Sequence, residues 1–338
     1  MREPAFWYRP RSPQSQILRP LGAIYGAITA RRMALEGFDA GIPVICVGNY
    51  HVGGAGKTPT VLALTKLLRE LGETPVVLSR GYGGRLKGPV VVDRARHIAA
   101  DIGDEPLMMA HDVPVVVARD RLDGVALAKS QGATVILMDD GFQNPRLLKD
   151  TSLIVIDSER GLGNGEVFPA GPLRAPLQAQ LARTDALVLI GDGRAANDVA
   201  AELAKRDKPE LRAQLKPDAA SVAQLSGKRV FAFAGIGDPE RFFRSLRAGG
   251  IEVARTRPFA DHHMFSDDEI TALVTDAQRE QLTLVTTEKD LARLRGREGV
   301  PDSIVPFAVQ LEFADPAALR QLISDHLYTA RARRFGRR

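Results

Sequence analysis

Gly48-Asn49-Tyr50-His51-Val52-Gly53-Gly54-Ala55-Gly56-Lys57-Thr58-Pro59 decides the fold of this chain. The apolar run Pro43 to Val47 ahead of it reads as a strand, and Val61, Leu64, Leu68 and Leu71 behind it mark one face of a helix. Strand, glycine-rich turn and helix in that order make a phosphate-binding loop. Gly53, Gly54 and Gly56 let the backbone aim successive N–H groups inward as an anion nest, and the helix dipole adds positive potential at the same point. Lys57 supplies a mobile cation for the β- and γ-phosphates, and the Thr58 hydroxyl suits Mg²⁺. The nucleotide-binding stretch is therefore Val52, Gly53, Gly54, Ala55, Gly56, Lys57, Thr58 and Pro59. One position departs from G-x-x-x-x-G-K-[ST]: the usual first glycine falls on His51.

A second motif lies downstream. Val135-Ile136-Leu137-Met138 runs into Asp139-Asp140-Gly141-Phe142-Gln143, an apolar strand that ends in paired carboxylates. Phosphate-loop folds place the group that holds Mg²⁺ there, directly or through water. Apolar runs alternate with helical patterns from Ile42 onward: Val76–Leu78, Val115–Val117, Leu153–Ile156 and Ala186–Ile190 read as further strands. Parallel strands joined by helices follow. From Asp192 to Pro217 the sequence is polar and alanine-rich and presents no firm strand. Arg229–Ala234 starts afresh, with a helix through Phe242, Phe243 and Leu246 and a strand at Leu282–Val285. The fold class is α/β: a P-loop NTPase-type parallel-sheet domain over 37–225 and a second, smaller α/β domain over 226–328.

Composition narrows the function. The 338 residues give room for about two domains, and 44% hydrophobic with 26% charged residues excludes wholesale disorder. One cysteine, Cys46, permits no internal disulfide and sits in an apolar strand as core. Lys and Arg exceed Asp and Glu by 46 − 41 = 5, but five arginines (Arg331, Arg333, Arg334, Arg337, Arg338) crowd into the last eight residues, so no nucleic-acid partner is expected. Residues 329–338 read as a solvated basic tail within reach of lipid headgroups. Over residues 1–36, Leu21, Ile24, Tyr25 and Ile28 repeat at helical spacing, flanked by Arg19, Arg31 and Arg32. The uncharged stretch from Pro20 to Ala30 is too short to cross a bilayer, which takes about 20 apolar residues. This helix either packs its apolar face on the protein or lies in an anionic membrane surface, with Phe6, Trp7 and Tyr8 as interfacial aromatics.

With these motifs read, the chain resembles the tetraacyldisaccharide 4'-kinase family, the lipid A 4'-kinases, over nearly its whole length. The matching stretches are the N-terminal aromatic and basic helix, Gly48 to Pro59, Leu78-Ser79-Arg80-Gly81-Tyr82-Gly83-Gly84, Gly103-Asp104-Glu105-Pro106 and Asp139 to Gln143. Gly163-Asn164-Gly165 through Pro169-Ala170-Gly171-Pro172-Leu173-Arg174, Asp261-His262-His263 and Thr286-Thr287-Glu288-Lys289-Asp290 complete them. The resemblance implies transfer of the γ-phosphoryl of ATP to the 4'-hydroxyl of a tetraacyldisaccharide 1-phosphate, with Mg²⁺, at the cytoplasmic face of the bacterial inner membrane. It implies a peripheral enzyme with a lipid substrate and no obligate protein partner. The family usually has histidine after D-D-G-[FL]-Q, where this chain has Asn144.

Roles follow from the resemblance and the chemistry together. Asp104 reads equally as a helix N-cap and as the proton acceptor, and the resemblance favours the acceptor. His262 is its expected partner, with His263 an equally available neighbour. Thr58, Glu105, Asp139 and Asp140 are expected around Mg²⁺, and Arg121 on the transferring phosphate. Asn49, Gln143 and Arg174 are expected on the acceptor substrate, Arg174 within a Gly/Pro-rich segment that shapes its site. Two other classes compete: a nucleotide-switched binding protein, and a kinase for a soluble sugar or coenzyme. The lack of N-K-x-D argues against a GTPase switch.

Overall fold

The computed structural model describes residues 3–10, 12–54, 56–295, 301 and 303–336, so Ala55, Arg337 and Arg338 lie outside the described residues. The chain up to Pro217 lays down eight strands: β1 (Val44–Gly48), β2 (Pro75–Ser79), β3 (Val90–Val91), β4 (Val115–Val117), β5 (Val135–Asp139), β6 (Thr151–Asp157), β7 (Ala186–Ile190) and β8 (Glu210–Pro217). Then come β9 (Arg229–Ala234), β10 (Glu252–Pro258), β11 (Thr283–Thr287), β12 (Val305–Phe307) and β13 (Val309–Phe313). They form two sheets, ordered β13-β8-β7-β6-β1-β5-β2-β4-β3 and β10-β9-β11-β12. Every pairing is parallel except the two edges of the large sheet, β13 on β8 and β3 on β4. The unbroken apolar runs explain this arrangement. β1, β2, β5, β6 and β7 are buried at every residue, as strands covered on both faces by helices must be.

The helices are α1 (Pro13–Met33), α2 (Lys57–Glu70), α3 (Ala99–Ile102), α4 (Asp104–Met109), α5 (Arg121–Ser130) and α6 (Leu177–Leu181). After them come α7 (Asn197–Ala204), α8 (Ala219–Leu225), α9 (Pro239–Ala248), α10 (Asp267–Arg279), α11 (Glu288–Leu294) and α12 (Pro316–Phe335). Val61, Leu64 and Leu68 of α2 pack on one face of the large sheet with Leu319, Ile323 and Leu327 of α12, while Val125 and Ala128 of α5 and Val199 and Leu203 of α7 cover the other. The small sheet has its own two cores, one around Phe243 and Leu246 of α9, the other around Ile270 and Leu273 of α10. β1 lies between β5 and β6, so the loop after it opens where neighbouring strands depart to opposite sides, the crevice that binds ligands in such sheets.

Three features differ from the sequence reading. β8 occupies the stretch expected to hold no strand: Leu211 and Ala213 face inward while Glu210, Arg212 and Gln214 stay exposed, an alternation half-hidden by its polar members. The segment from Val309 onward, read as part of the smaller domain, rejoins the large sheet through β13 and α12. The expected basic tail is helical to Phe335, and three of its arginines are paired with carboxylates of the large unit: Arg331 with Glu73 at 2.7 Å, Arg333 with Asp150, and Arg334 with Asp39 and Asp150 at 2.7 and 3.0 Å. These three cations fasten α12 to the large unit.

Candidate active site

The phosphate loop spans the end of β1 and the start of α2. Gly56 caps α2 with φ +85°, where an added Cβ would run into Ile190, and Gly53 has φ +111°. Only glycine takes such angles without strain, and the free N–H groups of the first turn of α2 face the loop. Lys57 opens the helix with Thr58 and Pro59 behind it; its ammonium lies 3.8 Å from Asp140. Val52 is exposed at the rim. His51 is buried, and burial together with Lys57 and Arg174 drops its pKa to about 3, so the ring is neutral. That explains the missing first glycine: the imidazole is packed inside the protein, leaving the loop's mouth to the backbone.

Asn49 and Gln143, expected on the substrate, both brace this loop. Asn49 is fully buried and donates from Nδ2 to the Gly53 carbonyl at 3.1 Å. Gln143 Nε2 donates to the Asn49 carbonyl at 2.8 Å and to Gln180 Oε1 at 2.9 Å, and Gln180 in turn donates to the Tyr50 carbonyl at 3.2 Å. A buried amide network of this kind rigidifies the backbone it serves.

The two aspartates are driven apart electrostatically. Asp139 is buried at the end of β5; burial, then the charges of Glu105 and Asp140, raise its pKa. Its Oδ2 accepts from Ser79 Oγ at 3.1 Å, while the buried Oδ1 finds no partner among the described residues. Asp140 sits in the left-handed region, φ +48°, and Arg174 grips it with two bonds of 2.7 and 3.1 Å. Burial works to raise Asp140, but Lys57 and Arg174 outweigh it and hold the group well below the usual carboxylate range. Arg174, expected near an anion of the substrate, is thus committed to Asp140, and its Nε also donates to the His51 carbonyl at 3.1 Å. Arg121 is not a free cation at the site: it is fully buried and donates to the Ala118 carbonyl at 2.6 Å and toward the Asp139 carbonyl at 3.5 Å. Among the described residues, no three His, Cys, Asp or Glu side chains converge as a preformed metal cage.

The smaller unit completes the site. Asp104 is the first residue of α4, and its Oδ1 accepts the neighbouring Glu105 N–H at 2.9 Å. Its Oδ2 receives His262 Nδ1 at 3.1 Å and Arg293 Nε at 2.7 Å, with Lys289 Nζ at 4.0 Å. Burial would raise Asp104; His262, Lys289 and Arg293 together prevail and hold it well below the ordinary carboxylate range. Lys289 also bridges to Glu105 at 2.9 Å, and the two carboxylates raise its pKa against the opposing effect of burial. Geometry separates the neighbouring histidines. His262, at φ +55°, faces Asp104 and lies edge-on to Tyr82, whereas His263 bonds Glu269 at 2.9 Å and stacks on Phe259. Arg293 was absent from every motif read above. Its one signal was position, one helical turn after Lys289 and Asp290.

The Gly/Pro-rich segment 163–174 has a second duty, docking the N-terminal helix. Asn164 Nδ2 donates to Ser15 Oγ at 3.1 Å, Ser15 Oγ donates to the Ala170 carbonyl at 2.8 Å, and Trp7 Nε1 donates to the Pro169 carbonyl at 3.1 Å. Ser15, Gly22 and Gly26 form the buried face of α1, against Val167, Ala170 and Pro176. The apolar residues therefore point away from the protein: Ile17, Leu21, Ile24, Tyr25 and Ile28 are exposed. No helix among the described residues is long and apolar enough to cross a membrane.

Comparison with known proteins places this geometry. The sequence model described as LpxK, tetraacyldisaccharide-1-P 4'-kinase, matches residues 14–328. The chain belongs to the tetraacyldisaccharide 4'-kinase family. It is 90% identical to a tetraacyldisaccharide 4'-kinase of Bradyrhizobium diazoefficiens across the whole of both chains, and 61% identical to one of Rhodopseudomonas palustris, again end to end. Among solved structures it is similar to LpxK from Aquifex aeolicus in complex with ATP, at 28% identity and a TM-score of 0.71, covering 93% of this chain and 99% of that one. The family expected from the motifs and the α/β fold with its large parallel sheet are both borne out.

Proposed function

We propose that this family member transfers the γ-phosphoryl of ATP to the 4'-hydroxyl of a tetraacyldisaccharide 1-phosphate while bound peripherally to an anionic membrane surface, the cytoplasmic face of the inner membrane. The observation that carries the reading is the convergence of Asp104 with His262 from the other unit, beside a phosphate loop built on α2. The ATP held by the Aquifex aeolicus relative supports ATP as the donor.

Phosphoryl transfer asks mainly for positioning and charge neutralisation. The amides at the start of α2 and the Lys57 ammonium face the charge that builds on the phosphate oxygens. Asp104 accepts the hydroxyl proton. Its proton affinity is low, which suffices because a loose transition state needs little bonding to the nucleophile before the phosphoryl has largely left. His262 holds the carboxylate through the hydrogen that its Nδ1 donates. Mg²⁺ fits the residues present: the buried Oδ1 of Asp139, without a partner among the described residues and in the field of Glu105 and Asp140, is the kind of oxygen a hard cation satisfies. Asp139 and Thr58 would hold it, with Glu105 and Asp140 nearby, and it would neutralise the phosphate oxygens.

The outward apolar stripe of α1 supports the membrane assignment, since the protein itself leaves that face uncovered. The test is to incubate the protein with γ-labelled ATP, Mg²⁺ and tetraacyldisaccharide 1-phosphate in detergent. Label in the lipid is expected. A protein that hydrolyses ATP but leaves the lipid unlabelled would instead be a nucleotide-driven switch, and one that labels only a water-soluble sugar would be a soluble-substrate kinase.

A further inference from the structure

Two groups grip Asp104 Oδ2, and both are anchored on one carbonyl. Gly235, in the loop after β9, accepts the His262 backbone N–H at 3.0 Å and Arg293 Nη1 at 2.7 Å. The guanidinium is fixed further by Asp290, whose Oδ1 takes Nη1 at 2.5 Å. Asp290 is itself immobilised: its Oδ2 accepts the Gly235 N–H at 3.0 Å and Thr287 Oγ1 at 2.7 Å. Thr287 closes the frame by capping α11, accepting the Asp290 N–H at 3.0 Å. From this frame Arg293 Nε crosses to the other unit and donates to Asp104 Oδ2 at 2.7 Å. Arg293, Asp290 and Asp104 are all buried, so the bonds among these three are shielded from water.

A carboxylate turns freely about two bonds unless something selects one rotamer. His262 is partly exposed and meets Asp104 through a single ring nitrogen at 3.1 Å. Arg293 makes the shorter bond and is the better held. We propose that Arg293 is a positioning residue of the transfer reaction: with His262 it pins Asp104 Oδ2 and so fixes where the carboxylate meets the acceptor hydroxyl. The inference rests on the reading of Asp104 as proton acceptor. It gives the Thr286–Asp290 motif a purpose, the construction of a frame that aims Arg293 across the junction. Misplacing a reacting group by about 1 Å costs on the order of 100-fold in rate, while the loop that binds ATP is built on β1 and α2 and keeps its shape.

The test is a double-mutant cycle on the full-length protein, with label transfer to the lipid as the readout. Arg293→Gln is expected to lower kcat about 100-fold with KM for ATP within about twofold of the parent. Arg293→Lys keeps a cation that reaches one partner, and recovers about tenfold of that loss. In the Asp104→Ala background, neither change is expected to lower kcat further. Should Arg293→Gln fail to fold, as read by thermal unfolding, Arg293→Lys alone completes the cycle. An equal loss in both backgrounds, or a folded Arg293 variant with parental kcat, overturns the positioning role. Parental kcat in Asp104→Ala alone would overturn the acceptor reading instead, so the two failures are distinct.

Discussion

Replacing Leu21 and Ile24 by serine should detach the protein from membranes without unfolding it. The two side chains remain 56% and 61% exposed on the folded protein, so more than half of each is left for another phase to cover. Full burial of a leucine or isoleucine is worth about 1.5–3 kcal/mol, so the remaining exposure corresponds to about 1–1.5 kcal/mol each. Their joint loss is then about 2.5 kcal/mol, on the order of 60-fold in partition coefficient at 1.4 kcal/mol per factor of ten. Neither side chain belongs to the packed face of α1, which is Ser15, Gly22, Gly26 and Met33, so stability should change by no more than about 0.5 kcal/mol. Flotation with vesicles containing anionic lipid, at several lipid concentrations, measures the partition; thermal unfolding checks the fold. Arg31 and Arg32 at the end of the helix add a salt-sensitive share that the double variant should retain. Unchanged flotation in a folded variant would refute the reasoning, and the stripe would then face something other than lipid.

Other expectations follow from particular bonds. Gly56→Ala places a Cβ at φ +85° and against Ile190; it should cost about 1–2 kcal/mol of stability and abolish nucleotide binding by calorimetry, whereas Gly72→Ala, at φ +80° with open space, should share the strain but keep ATP. His262→Ala should lower kcat by on the order of 100-fold, while His263→Ala, which loses the Glu269, Phe259 and Phe265 contacts, should lower thermal stability and leave kcat nearly intact. Glu73 is raised by burial but lowered further by Arg331 and Thr134, ending below its ordinary value of 4.5. Its pairing therefore stabilises the protein above that pH and the benefit fades as pH falls through the lower, folded value. Arg331→Ala should cost about 0.5–1 kcal/mol at pH 7 and converge on the parent in acid, as followed by denaturant titration.

Much of this architecture was legible because it rests on local rules. A strand, a run of glycines and a helix must be contiguous to cradle phosphate, so Gly48 to Pro59 announces itself, as does the apolar strand ending in Asp139 and Asp140. Features set by distant partners were harder. Leu21, Ile24 and Tyr25 show a helix with an apolar face but not which way it points; that depends on Gly22 and Gly26 meeting Val167 and Pro176, more than 140 positions away. β8 hides because only one side of an edge-proximal strand need be apolar, and Arg331 and Arg334 read as a tail until Glu73, Asp39 and Asp150 are brought beside them. Asn49, Gln143 and Arg174 have the polar character of substrate contacts, yet the loop's own backbone and Asp140 claim them first. Arg293 is the hardest case: its partner Asp104 lies 189 positions earlier, and nothing in a helix of seven residues says which side chain will cross to another unit.

The central claim is that Asp104 takes the acceptor's proton at a site whose grip on ATP lies elsewhere. Rapid-quench measurement of a single turnover, with enzyme in excess over γ-labelled ATP and saturating tetraacyldisaccharide 1-phosphate, tests it most directly. Asp104→Ala should bind ATP as the parent does, by calorimetry, and transfer label to the lipid at least 100 times more slowly. Transfer at the parental rate with ATP bound would contradict the account.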